Sequence, residues 1–187
     1  YIYGFLPTDF GRVSDAMMES ATDNSVYTWE NNSIYYITNG IWSPLKRVDD
    51  GWGFWDGVRS ANLFLENFDP KVLERFQYNE DYDEMIDKAS KFSLEVRFLR
   101  AFYLFELAKR YGDIPLITRT YTQEEINSVR KTSFADVIDF IAKECTEITR
   151  EGGLPEDGVR GETGRVTKGA ALALKSVSYT HLRAHET

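Results

Sequence analysis

Apolar positions take up a helical rhythm only after the first quarter of the chain. From Phe54 they recur at Val58, Ala61, Leu65 and Phe68, stepping by four and three, the period of an α-helix with one buried face. Asp49 or Asp50 can cap its start, and Asp69-Pro70 ends it. The acidic NEDYDEM that follows is read as the N-terminal turn of the next helix, where the macrodipole favours carboxylates; it lacks the Gly and the final Glu of a calcium loop. In SLEVRFLRAFYLFELAKRYGDIPLI, residues Leu94, Phe98, Ala101, Leu104, Phe105 and Ala108 form one wide apolar face. Val96, Tyr103 and Leu107 form a second stripe nearly opposite. A helix apolar on two sides packs between neighbours. Arg97 and Arg100 fall between the stripes and are expected to pair with acids of a neighbouring helix. Gly112 supplies a left-handed stop and Pro115 blocks continuation.

A third helix is predicted from about Ser133 to Arg150, capped by Ser133 with Asp136, with Val137, Ile138, Ile141, Cys145 and Ile148 as its stripe. A Gly-rich loop, EGGLPEDGVRGETG, leads to a fourth helix at RVTKGAALALK, capped by Thr167. Four helices in succession predict an all-α fold of packed, tetratricopeptide-like helix pairs. Residues 1 to about 47 read differently. SATDNSVYTWENNSIYYITNGIWSP keeps neither period, Asn39-Gly40 marks a turn and Pro44 a break. This predicts a loop-rich aromatic layer.

Composition narrows the function. The 187 residues carry a net charge of −8 and are 14% aromatic, with four Trp and eleven Tyr. Nucleic acid is not an expected partner, because phosphate binding needs a basic face. An acidic, aromatic-rich chain suits neutral ligands such as sugars or peptides. The single cysteine, Cys145, excludes an internal disulfide and lies in an apolar stripe, as a buried structural thiol does. No apolar run reaches the length of a membrane span. The chain starts at YIYGFLP without Met or a visible signal peptide. In GETGRVTKGA, Gly164 and Gly169 have the gap of a phosphate loop, but Ala170 stands where its Lys is required. No cofactor is implied.

The candidate chemistry lies in the aromatic layer. Sugar rings stack their C–H faces on Trp or Tyr, and their hydroxyls pair with Asn and Asp. Asp23, Asn24, Tyr27, Trp29, Asn31 and Trp42 are therefore the candidate ligand contacts. The competing use of these aromatics is to pack the layer onto the helices. The two histidines, His181 and His185, stand four apart, a spacing that suits zinc on a helix. Two ligands do not make a site, and catalytic triads that need histidine have no candidate in the rest of the chain.

Several segments together resemble the SusD/RagB family. EVRFLRAFYLFELAKRYGDIPLIT is similar to that family's long helix and its Tyr-Gly-Asp-Ile-Pro-Leu exit, DDGWGFWDGVRSANLFLENFD to the preceding helix and GRVTKGAALALK to a later one. MESATDNSVYT and TNGIWSP resemble its N-terminal part, so the similarity runs from about Tyr1 to Lys175. The resemblance implies a truncated SusD-like fold, an internal fragment of a longer protein. It further implies a non-catalytic, lipid-anchored protein on the outer surface of Bacteroidota, which captures glycans or peptides. The implied partner is a SusC-like TonB-dependent outer-membrane transporter. A protein-interaction scaffold without a small ligand and an α-helical carbohydrate-active enzyme are the alternatives. After Lys175 the likeness stops. SVSYTHLRAHET reads, from Val177, as the translation of a transposase-type sequencing adapter. Residues 1–175 are thus expected to form a partial SusD-like domain, and 176–187 a non-native tail that frays or folds non-natively.

Overall fold

A computed structural model of the chain describes residues 1–7, 12–13, 16–49, 51–156 and 163–186, without the side chains of Arg12, His185 and Glu186. Two compact units result, Leu6–Trp52 and a helical unit of Tyr1–Phe5 with Gly53–Thr187.

The loop-rich unit contains a short hairpin, β1 (Arg12–Val13) antiparallel to β2 (Ala16–Met17), a 3-10 turn at Met18–Ala21 and α1 (Ile34–Thr38). These elements are too short for any periodicity to show. Among the described residues their core consists of buried Val13, Ala16 and Ile34, with Ala21, Tyr27, Ile37 and Val48 packed against them. The chain reverses after α1 through Gly40, at φ 66°, a conformation that glycine adopts without steric cost.

The helical unit is built from α2 (Phe54–Asn67), α3 (Tyr82–Tyr111), the short α4 (Gln123–Ile126), α5 (Phe134–Ile148) and α6 (Lys168–Glu186). Packing runs α2 on α3, α3 on α5 and α5 on α6. Helix α3 is thus covered on two sides, as its two stripes require. Phe98, Ala101, Leu104, Phe105 and Ala108 are buried, and so are Val96, Tyr103 and Leu107. Tyr103 stacks on Phe54 at 5.9 Å and donates its hydroxyl to the carbonyl of Ile2. Gly57 of α2 lies flat against the same ring; a Cβ there would come within 2.6 Å of it.

Several boundaries differ from the expectation. The N-cap position of α2 is Gly53, which has no side-chain cap, and not Asp49; Asp50 lies outside the described residues. Asp69 does not merely end α2. Its side chain accepts from the Lys71 amide and starts a 3-10 helix, Pro70–Phe76. NEDYDEM does open a helix, with Asp83 and Glu84 in the first turn, but this is the same 30-residue α3 that ends at Gly112, φ 68°. The Lys88–Glu84 and Lys91–Asp87 pairs, four residues apart, support its exposed N-terminal half.

Arg97 and Arg100 meet acids of a neighbouring helix as expected. Arg97 donates Nε and Nη2 to Glu144 at 3.0 and 2.7 Å, and Nη2 also to Glu147 at 2.6 Å. Arg100 Nη2 reaches Glu144 at 3.1 Å, and its Nη1 donates to Asn62 Oδ1 and the Thr118 carbonyl. Asn62 in turn donates to the carbonyls of Ile117 and Arg119. The loop after α3 is therefore held at Ile117–Arg119 by side chains, in addition to the antiparallel backbone bridge between Ile114 and Thr132.

Ser133 caps α5 by accepting from the Asp136 amide, and its hydroxyl donates to the Asp136 carboxylate. The predicted α5 stripe is buried throughout. Burial pushes the Cys145 thiol up to about 11, so the thiol is an inert core group. Thr167 Oγ1 accepts from Ala170 N at the start of α6. Residues 157–162 of the preceding Gly-rich loop lie outside the described residues. Helix α6 runs on to Glu186, so the last segment is helical and continuous with Lys168. Ala171, Leu174 and Ser178 form its buried side, and the His181 ring meets Phe105 edge-on at 5.2 Å. The tail is free of Gly and Pro, so nothing in it breaks the helix.

Candidate functional site

The six candidate ligand contacts all belong to the loop-rich unit. Their positions follow from two local structures. The first is the turn after β2. Thr22 donates its hydroxyl to the Glu19 carbonyl, the Asn24 amide donates back to Thr22 Oγ1, and Asn24 Nδ2 donates to Glu19 Oε1 at 2.7 Å. Asp23 and Asn24 are thereby fixed on an exposed turn, with the Asn24 amide group already engaged by Glu19.

Tyr27 is half-buried against the small core, and its ring meets Trp29 edge-on at a centroid distance of 6.4 Å. Trp29 itself is 71% exposed. An indole of that area standing in water forfeits a large burial term, so a flat apolar face is available for stacking. Asn31 is exposed beside it in sequence. Its neighbour Asn32 is buried and accepts the Ile34 amide through Oδ1, which starts α1.

The second structure is the reversal after α1. The amides of Ile41 and Trp42 both donate to the Tyr36 carbonyl, at 3.0 and 2.9 Å. Trp42 is thereby presented with its side chain 62% exposed. Lys46 Nζ lies 5.3 Å from the Tyr36 ring centroid, a cation–π contact. The structure thus pairs Tyr27 with Trp29 and carries Trp42 on a separate turn. Two residues that the sequence reading missed have roles here: Glu19 anchors Asn24, and Tyr36 holds the turn. No local pattern marks either one, because each acts through a hydrogen bond set by the turn.

In the helical unit, α5 and α6 leave an open groove of about 290 Å³, lined by Asp139, Ala142, Lys143, Thr146, Glu147, Arg150 and Tyr179. Among the described residues, no group of three or more His, Cys, Asp or Glu could hold a metal ion. The His181 ring nitrogen Nδ1 lies 3.0 Å from the Val177 carbonyl, and the His185 side chain lies outside the described residues. Among these residues no helix is long and apolar enough to cross a membrane.

Neither a family model nor a curated protein sequence matches the chain. Solved structures do. A SusD-like protein from Bacteroides fragilis is 28% identical, with a TM-score of 0.75 over 99% of this chain and 34% of its own. A SusD-like carbohydrate-binding protein from the same organism is 30% identical, with a TM-score of 0.64 over 86% of this chain and 30% of its own. A laminarin-binding SusD-like protein is 27% identical, with a TM-score of 0.63 over 80% of this chain and 30% of its own. The chain therefore has the SusD-like fold, all-α in its helical unit, as the resemblance in sequence implied. It spans about a third of the length of these relatives.

Proposed function

We propose that this chain is part of a non-catalytic glycan-binding protein, and that the loop-rich unit supplies sugar contacts through Trp29 and Trp42. The observation that carries the reading is the exposure of Trp29, an indole backed on one edge by Tyr27 and otherwise open. Asp23, Asn24 and Asn31 stand near it in sequence and offer donors and acceptors to sugar hydroxyls. The carbohydrate-binding and laminarin-binding SusD-like relatives support the ligand class.

Within the same reading, the intact protein sits on the outer-membrane surface through a lipid anchor. There it delivers ligand to a SusC-like TonB-dependent transporter docked on the helix pairs, and residues 176–187 are an adapter-derived tail. A pull-down of an intact homologue from its native membrane checks the transporter partner.

The ligand test is calorimetry of the chain against a panel of oligosaccharides and peptides, with Trp29→Ala and Trp42→Ala. Losing one stacking platform is expected to weaken glycan binding roughly tenfold, about 1.4 kcal/mol. Parent-like binding by both variants would remove the proposed site. Saturable binding of peptides alone would replace the ligand class. An absence of any small ligand, with one protein dominating the pull-down, would favour an interaction scaffold.

A further inference from the structure

We infer that the Trp29 side of the loop-rich unit selects its saccharide by charge, accepting uncharged glycans and rejecting those that carry uronate or sulfate groups. The inference rests on the glycan-binding reading above and narrows it to a substrate class.

From Ala16 to Leu45 the only charged residues are Glu19, Asp23 and Glu30, all carboxylates. All three are exposed. Asp23 and Glu30 flank Tyr27 and Trp29 in sequence, and Asp23 rides on the turn that Glu19 and Asn24 close. On an exposed surface, capture of a carboxylate or sulfate is favoured by Arg or Lys, whose charge-assisted and bidentate hydrogen bonds replace the water lost by the anion. That stretch contains neither residue. The nearest cations in the chain on either side are Arg12, in register with Met17 on the hairpin, and Lys46 and Arg47. Lys46 is engaged over the Tyr36 ring, on the turn that carries Trp42.

An anionic polymer approaching Trp29 meets like charge before it can stack, and like-charge juxtaposition suppresses the wrong partner. A neutral sugar meets no such penalty. The Trp29 face takes its C–H surface, and Asp23 accepts hydrogen bonds from its hydroxyls, while Glu30 contributes only its charge. Those bonds need no counter-ion, so affinity for a neutral glycan should depend little on salt.

The test is titration calorimetry of the chain with four probes, at about 20 mM and about 500 mM salt. The probes are laminarin, a neutral maltooligosaccharide, polygalacturonate and chondroitin sulfate. The expected result is saturable binding to at least one neutral glycan, changing less than about threefold between the two salts, and no binding to either polyanion at low salt.

A Glu30→Lys variant adds the missing cation outside the proposed stacking and hydroxyl contacts. It should keep neutral-glycan affinity within about twofold and gain salt-sensitive binding of a polyanion. Binding of polygalacturonate or chondroitin sulfate by the parent, weakened by salt, would overturn the charge selection and leave glycan binding intact. A Glu30→Lys variant that gains no polyanion binding would also overturn it, because the carboxylates would then not set the preference. Failure of all four probes on the parent would overturn the glycan reading, and the charge selection with it.

Discussion

Tyr103 shows how much of this fold depends on single positions. Its ring stacks on Phe54, its hydroxyl donates to the Ile2 carbonyl, and Gly57 lets the α2 backbone lie against its face. Burial pushes the phenol up to about 12, so it stays a donor at any physiological pH. A Cβ at position 57 would sit 2.6 and 2.7 Å from two ring carbons, closer than van der Waals contact allows. Tyr103 is fully buried and cannot swing out. Although alanine favours helix over glycine by about 1 kcal/mol, overpacking of this kind costs about 1–3 kcal/mol. Gly57→Ala is therefore expected to lower the urea midpoint, whereas Gly53→Ala, with open space around its Cβ, is not. Equal midpoints for both variants would show that α2 shifts freely on α3.

Helices α3 and α5 are joined by charge as well as by their apolar stripes. Burial alone would raise the Glu144 carboxyl, but the hydrogen bond from Arg97 and the charges of Arg97 and Arg100 outweigh it and hold it below the usual carboxylate range. A carboxylate depressed in the folded state stabilises the fold above its ordinary pKa, about 4.3, and that contribution is lost as pH falls through the lower folded value. Glu144→Gln leaves Arg100 without its carboxylate partner and Arg97 with Glu147 alone, and is expected to cost about 3–5 kcal/mol at pH 7. The gap to the parent should shrink as pH falls below the ordinary carboxylate range, about 4.3, and the parent carboxylate protonates. Urea midpoints of both proteins across that range check this, and a gap independent of pH would locate the damage in packing instead of charge.

This clamp also shows what was legible in the sequence. The 3.6-residue period identified α2, the apolar half of α3, and α5, because each buries a continuous stripe. It placed Arg97 and Arg100 between stripes, which predicted acidic partners without naming Glu144 or Glu147. The N-terminal half of α3 was read only as a capping turn, since its helical signal lies in Lys88–Glu84 and Lys91–Asp87 pairing and not in apolar spacing. Buried Glu95 could not be foreseen either; it is satisfied by Tyr3 and Arg165, 92 and 70 residues away. The residue types of the candidate site were legible, but their arrangement was not. Nothing local says that Asn24 is held by Glu19, or that Tyr27 backs Trp29 while Trp42 rides another turn.

The two units differ in what holds them together, and the difference bears on binding. The helical unit buries long stripes on α3 and α5, whereas the loop-rich unit, among its described residues, rests on three buried apolar side chains and a few half-buried ones. Local opening is easiest where buried apolar contact is sparse and backbone hydrogen bonds face water. Amides of Ala16–Asp49 are therefore expected to exchange at least about a hundredfold faster than those of Leu99–Ala108 and Val137–Cys145. A ligand that stacks on Trp29 binds only the ordered form of its unit, so saturating it at about a hundred times its Kd stabilises that form by about 2.7 kcal/mol. That corresponds to roughly a hundredfold slower exchange, provided the amides open by unfolding of the loop-rich unit alone. Hydrogen exchange with and without a bound neutral glycan measures both quantities. Slowing confined to Ala16–Asp49 would place the ligand on the loop-rich unit. Slowing of α5 and α6 alone would move it to the groove beside Lys143 and Arg150, and the roles proposed for Trp29 and Trp42 would fall.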